Sequence, residues 1–218
     1  PYTEISSDEI AEGKWMVSPW ALNSTSLGRQ PDPQEYLRRY ADELETGGKY
    51  KLMVWPYHAM LGGIGHALVS AVEEAIFFHG IARHCPADFQ VKGSNPFTEN
   101  YSVLSPEVLN DADGNRIAQK NTGFIGKLLE FDAVIIAGQA KSHCVAWTIN
   151  DLLREIELSD KGLANKVYLL EDCTSPVVIP DVIDYTDQAD TAFQRFSDAG
   201  MHIFRSTDSL KSFPSIIQ

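Results

Sequence analysis

Residues 131–147, Phe131-Asp-Ala-Val-Ile-Ile-Ala-Gly-Gln-Ala-Lys-Ser-His-Cys-Val-Ala-Trp147, decide the fold of this chain. The first six residues form an apolar run that reads as a buried strand. Beyond them, Val145, Ile149, Leu152, Leu153 and Ile156 recur at the spacing of one helix face. Cys144 therefore falls where a strand hands over to a helix, in the first helical turn. Unpaired main-chain N–H groups and the positive end of the helix dipole favour a thiolate at such a point. A strand, a tight turn and a helix-borne cysteine make a candidate nucleophile, and the chain has one such arrangement.

Outward from this stretch, strands and helices alternate. Lys51–Trp55 reads as a short strand, residues 64–84 as a long helix, Asp88–Lys92 as a strand and Thr122–Glu130 as a helix. After the cysteine helix come a strand at Lys166–Glu171, a helix near 185–199 and a last strand at Met201–Phe204. Alternation of this kind implies right-handed βαβ crossovers, hence an α/β fold: a doubly wound parallel sheet with helices on both faces. Residues 1–49 read as a peripheral N-terminal segment and 50–218 as a single core domain. Within the peripheral segment, Ser6-Ser-Asp-Glu9 has the pattern of a capping box. Residues 14–29 show no sustained period. Asp32-Pro33 should cap and begin a helix that Gly47-Gly48 ends.

Composition narrows the function classes. With 218 residues and 44% hydrophobic content the chain can bury a core. A formal charge of −12, from 18 basic and 30 acidic residues, argues against nucleic acid or an anionic membrane surface as partner. No apolar run approaches the ~20 residues of a membrane-spanning helix. Cys85, Cys144 and Cys173, without close pairing, suit free thiols in a reducing, cytoplasmic setting.

In parallel α/β sheets, ligands bind at the carboxyl ends of the strands. Here those ends deliver Trp55-Pro-Tyr-His58, Lys92-Gly93, the Gly138–Cys144 turn and Glu171-Asp172-Cys173. Lys92 near Cys144 would favour the thiolate by charge attraction, and the amides of the cysteine turn could form an oxyanion hole. The set fits acyl transfer through a thioester.

Trp55-Pro-Tyr-His58, Gly62-Gly-Ile-Gly65, Lys92-Gly93 and Gly138-Gln-Ala-Lys-Ser-His-Cys-Val145, in this order, resemble the isochorismatase-like cysteine hydrolases, with the nicotinamidase branch nearest. The similarity spans roughly residues 50–205. The resemblance implies that Cys144 is the nucleophile and Lys92 its supporting lysine, and that Gln139-Ala140 takes the place of the family's cis peptide. It also implies an oxyanion hole from the N–H groups of Ala140 and Cys144, and substrate contacts from Trp55 and His143. His58 matches one ligand of a divalent metal such as zinc; no organic cofactor is implied. The substrate class is a small amide, and a homo-oligomer is expected.

The chain also departs from the family pattern. The family's catalytic aspartate lies at the end of a first strand, and its other metal ligands lie in an Asp-x-His setting. Neither is found between residues 1 and 50. The expectation is that the first strand of the sheet is missing from this chain, and that the sheet would then expose apolar surface. Asp172, on the same rim, is the one candidate stand-in for the aspartate.

Plain alternatives stand beside these readings. A lone cysteine in an apolar setting is commonly packing, Trp55 could belong to the core, and His58 could bond a main-chain carbonyl. Without its aspartate the chain could be a non-catalytic binding or structural homologue. A redox-sensing thiol protein is the weakest reading, since no resolving cysteine lies close in sequence.

Overall fold

The computed structural model describes residues 1–20, 32–111 and 113–213. Its centre is a three-stranded parallel sheet in the order β3 (Val134–Ile136), β4 (Val167–Leu170), β7 (His202–Phe204). Val134 is opposite Val167 and Ile136 opposite Leu169, while Tyr168 pairs with His202 and Leu170 with Phe204. β4 lies between two neighbours, and its Val167, Tyr168 and Leu169 are almost completely buried. That is the burial expected of a near-continuous apolar strand in a parallel sheet. The chain is thus α/β, with the parallel sheet and crossover helices that the alternation implies.

Helix α5 (Ala146–Ser159) follows β3, and α6 (Thr186–Asp198) precedes β7. The apolar stripe predicted for α5 finds its partner in α6: Ile149, Leu152, Leu153 and Ile156 of α5 meet Phe193 and Phe196 of α6 over Val167 and Leu169. Ile125 of α4 (Thr122–Glu130) joins the same core. Side chains alternate across a strand, so Tyr168 points the other way, where its ring stacks on Phe213 at 4.8 Å.

The N-terminal segment packs in two smaller clusters that also take in Leu52 and Val108. Ser6 forms the predicted capping box with Glu9 at the start of α1 (Ser7–Ala11). Asp32 caps α2 (Pro33–Thr46), accepting from the N–H groups of Gln34 and Glu35. Ile10 and Ala41 pack with Ile5, and Tyr40 and Leu44 with Val108. The reading of residues 14–29 as irregular lies largely outside the described residues.

Three strand and helix assignments need correction. The short strand near residue 53, β2 (Leu52–Val54), does not join the parallel sheet; it pairs antiparallel with β1 (Thr3–Ile5). The long helix α3 begins at Ser70 and ends at Arg83, because residues 64–69 are taken up in turns. Residues 88–92 form no strand at all. A strand needs a neighbour for its main-chain groups, and none of the described strands pairs with this run or with the outer edge of β3. Phe89 and Val91 are instead largely exposed, as are Val72, Phe77, Phe78 and Ile81 of α3. A small hairpin of β5 (Val178–Ile179) and β6 (Ile183–Asp184) completes the elements that matter for the site.

Candidate active site

Gly138 leaves β3 with φ of 127°, a conformation open to glycine and strained for other residues. The next peptide bond, Gln139–Ala140, is cis. The turn is fastened to the chain after β4: the Gly138 N–H donates to the Cys173 carbonyl at 3.0 Å and the Lys141 N–H to the Ser175 carbonyl at 2.8 Å. The Ser175 hydroxyl donates to Gln139 Oε1 at 3.0 Å.

Cys144 does not sit in an ordinary α-helical turn. Lys141–Val145 is a π-helical turn that opens directly into α5. Such turns widen a helix locally and recur at functional sites. Lys141, Ser142, His143 and Val145 are buried in it, and Cys144 alone stays partly accessible.

Lys92 reaches this cysteine. Its Nζ lies 3.3 Å from Cys144 Sγ and donates a second hydrogen bond, of 2.6 Å, to the Asn100 carbonyl. The lysine arrives there from an extended but unpaired segment, which Lys127 holds through Asp88 at 2.6 Å and Asn121 holds through Gln90 at 2.9 Å.

Trp55 and His143 also come together, with ring centroids 5.1 Å apart at 85°. The Trp55 indole N–H donates to the Tyr101 hydroxyl at 3.1 Å. His143 is enclosed: Tyr50, Tyr101 and Tyr185 surround it with centroids 4.7, 5.3 and 4.7 Å away, and only 3% of the residue is exposed. Burial holds the imidazole down at about 4, so it is neutral near pH 7. The imidazole Nδ1 lies 2.8 Å from the Ser142 hydroxyl, which itself accepts from the Val177 N–H at 3.0 Å. This aromatic enclosure escaped the sequence reading. Tyr50, Tyr101 and Tyr185 are scattered along the chain with no shared spacing to mark them.

His58 is exposed, its ring 6.2 Å from that of Trp55, with Nδ1 2.6 Å from the Pro56 carbonyl. Among the described residues no group of three His, Cys, Asp or Glu side chains could hold a metal ion. Among the described residues, His58 thus has no second and third ligand of these types beside it for the divalent metal that the resemblance implies. Asp172 is also engaged elsewhere: it accepts from the Ser206 N–H at 2.8 Å and the Ser206 hydroxyl at 2.7 Å, and these bonds hold its carboxyl below the usual range. The hydrogen bonds of Cys144 and Lys92 among the described residues include no carboxylate.

A second cluster lies behind the lysine. Lys49 Nζ is 2.8 Å from Glu107 Oε2, with side-chain exposures of 8% and 0%. Glu99 lies close by; burial first, and the Glu107 charge second, push its carboxyl up to about 7.

No protein-family model and no curated protein matches the sequence significantly. Among solved structures the chain is similar to a nicotinamidase and pyrazinamidase from Acinetobacter baumanii, at 17% identity and a TM-score of 0.42 over 72% of this chain and 62% of that one. It is similar also to a yeast nicotinamidase bound to the inhibitor nicotinaldehyde, at 19% identity and a TM-score of 0.46 over 72% of this chain and 61% of that one. A further structure of the yeast nicotinamidase gives 20% identity and a TM-score of 0.43, covering 71% of this chain and 59% of that one. The chain thus spans less than two thirds of the length of each of these structures. No described helix is long and apolar enough to cross a membrane.

Proposed function

We propose that Cys144 is the nucleophile of a cysteine hydrolase that cleaves the carbon–nitrogen bond of a small planar amide, nicotinamide-like in shape. One observation carries this reading: an ammonium 3.3 Å from the sulfur of a cysteine that its own turn leaves accessible. A thiolate is the reactive form of cysteine, and a contacting cation favours it.

In the proposed reaction the Cys144 sulfur adds to the amide carbonyl. The oxyanion so formed is held by the N–H groups of Ala140 and Cys144. The carbon–nitrogen bond then breaks, and the nitrogen leaves as ammonia, the proton that the thiol gave up reaching it through solvent water. Water attacks the thioester, releasing the carboxylic acid and restoring the thiol. Lys92, 3.3 Å from the sulfur, favours the thiolate at the moment of attack. Trp55 supplies the flat surface for the substrate ring, and the His143 enclosure keeps that indole in place.

A second reading, a binding protein that keeps the fold without turnover, is favoured by the lack of a carboxylate among the bonds of Cys144 and Lys92. Intact-mass measurement after mixing with pyridine-3-carboxaldehyde separates the two. The hydrolase reading expects one adduct on the chain that is lost in Cys144→Ala, together with amide turnover that the same substitution abolishes. Labelling of Cys144 no faster than that of Cys85 or Cys173, without turnover, decides for the binding protein.

A further inference from the structure

Lys92 is an exposed side chain, and a long exposed ammonium does not hold one position unaided. Its second anchor is the Asn100 carbonyl, so the contact with Cys144 is only as fixed as that carbonyl. The segment around Asn100 is clamped on both sides. The Glu99 N–H donates to the Tyr40 hydroxyl at 2.7 Å, and the Tyr101 N–H donates to Glu107 Oε1 at 3.1 Å. The main-chain N–H of Glu107 closes the loop by donating to the Glu99 carbonyl at 2.9 Å.

Glu107 therefore touches the segment through both its main chain and its side chain. Its other oxygen faces Lys49 Nζ at 2.8 Å, an ion pair without hydrogen-bond alignment. The same ammonium sits 4.3 Å over the ring of Trp147, which lies on α5 three residues after Cys144. The pair thus bridges the two sides of the lysine–cysteine contact: its carboxylate supports the Asn100 shelf, and its ammonium rests on the cysteine helix. Burying two charges costs desolvation that an apolar pair of the same volume does not. Their presence here is accounted for by what they hold.

We infer that the buried Lys49–Glu107 ion pair is a positioning pair, which fixes the Asn100 carbonyl and through it places the Lys92 ammonium against Cys144. The inference rests on Cys144 as a reactive thiol but not on any particular substrate. Other ionisable groups face the pair: Glu99 from the segment it clamps, Tyr40 of α2, and Lys120 with Asp151, Arg154 and Glu155 of α5 around a cavity of about 150 Å³. None of them replaces the contact to Tyr101.

The test is the pH profile of Cys144 alkylation by iodoacetamide, read by intact mass on the full chain with Cys85 and Cys173 changed to serine. Lys92→Met is the reference: it slows alkylation at pH 7 at least fivefold and moves the profile to higher pH. Glu107→Ala and Lys49→Met reproduce that shift with the far-ultraviolet circular dichroism unchanged, and Lys49→Arg restores the original profile. In the double variant Lys92→Met/Glu107→Ala the loss is no greater than for Lys92→Met alone, since both act through one contact. An unchanged profile in folded Glu107→Ala and Lys49→Met, or additive losses in the double variant, overturns the positioning role. If Lys92→Met itself moves nothing, the lysine–cysteine contact fails and the inference falls with it. Absence of amide turnover alongside the expected shifts overturns only the hydrolase reading and supports the positioning pair.

Discussion

Tyr50 donates its phenolic O–H to the main-chain carbonyl of Ser142 over 2.8 Å, fastening the residues just ahead of β2 to the turn that carries Cys144. The same ring lies 4.7 Å from His143 and 5.5 Å from Trp147, so one side chain braces Ser142 and His143 of the cysteine turn and Trp147 at the start of α5. Burial pushes the phenol up to about 12, which keeps it a donor over the whole useful pH range. Tyr50→Phe preserves the ring contacts and removes only the bond. It should cost about 1 kcal/mol, the usual net worth of such a bond. Urea unfolding measures this, and a midpoint equal to that of the parent chain would refute the bracing role.

His143 gives the chain an acid-sensitive core. In the folded state the imidazole titrates at about 4, against about 6.5 when unfolded. The unfolded chain therefore binds a proton more readily between those values. The stability that His143 contributes is complete above pH 6.5 and is lost as pH falls towards 4. The full loss is of the order of 3 kcal/mol. His143→Gln should flatten this part of the stability curve, read as melting temperature at half-unit steps from pH 7 to pH 4. A parallel curve for the variant would place the acid sensitivity elsewhere.

Glu99 acts in the opposite sense. Its folded carboxyl titrates at about 7, above the ordinary glutamate value of 4.5, so folding favours the protonated form. No cost arises below pH 4.5; it grows as pH rises to 7 and is complete above that. Glu99→Gln keeps the shape without the charge, and should raise stability at pH 8 by up to about 3 kcal/mol while leaving pH 4 unchanged. Denaturant titrations at the two pH values check the sign. Equal effects at both would remove the charge from the explanation.

The half of the chain after residue 122 was legible because its strands find partners within it. Val134–Ile136, Val167–Leu170 and His202–Phe204 lie where apolar runs between helical stripes put them, trimmed by one to three residues at their ends. Asp88–Lys92 has equal strand character in its sequence but no strand beside it, and pairing rather than propensity decides whether such a run becomes a strand. Lys92 nonetheless reaches Cys144, since the contact depends on Asn100 and not on a ladder of main-chain bonds. The Lys49–Glu107 pair and the tyrosines around His143 left no signal in the sequence. Their contacts join residues 40 to 100 positions apart, with no period or motif to connect them.

The same contrast predicts where the chain resists substitution. Ile149 of α5 is fully buried between the sheet and α6, whereas Phe78 of α3 is 57% exposed and no residue of its helix is buried. Truncating the first removes packed methyl groups and leaves a void, so Ile149→Ala should cost about 2–5 kcal/mol. Truncating the second removes a ring that is already largely in water, so Phe78→Ala should change the unfolding free energy of this chain by less than about 0.5 kcal/mol. Apolar surface of this kind associates readily, and Phe77→Ser/Phe78→Ser should lower binding of an environment-sensitive dye such as anilinonaphthalene sulfonate. Comparable destabilisation by Ile149→Ala and Phe78→Ala would mean that α3 is packed in solution, and that its exposed face is covered by chain contacts absent from this arrangement.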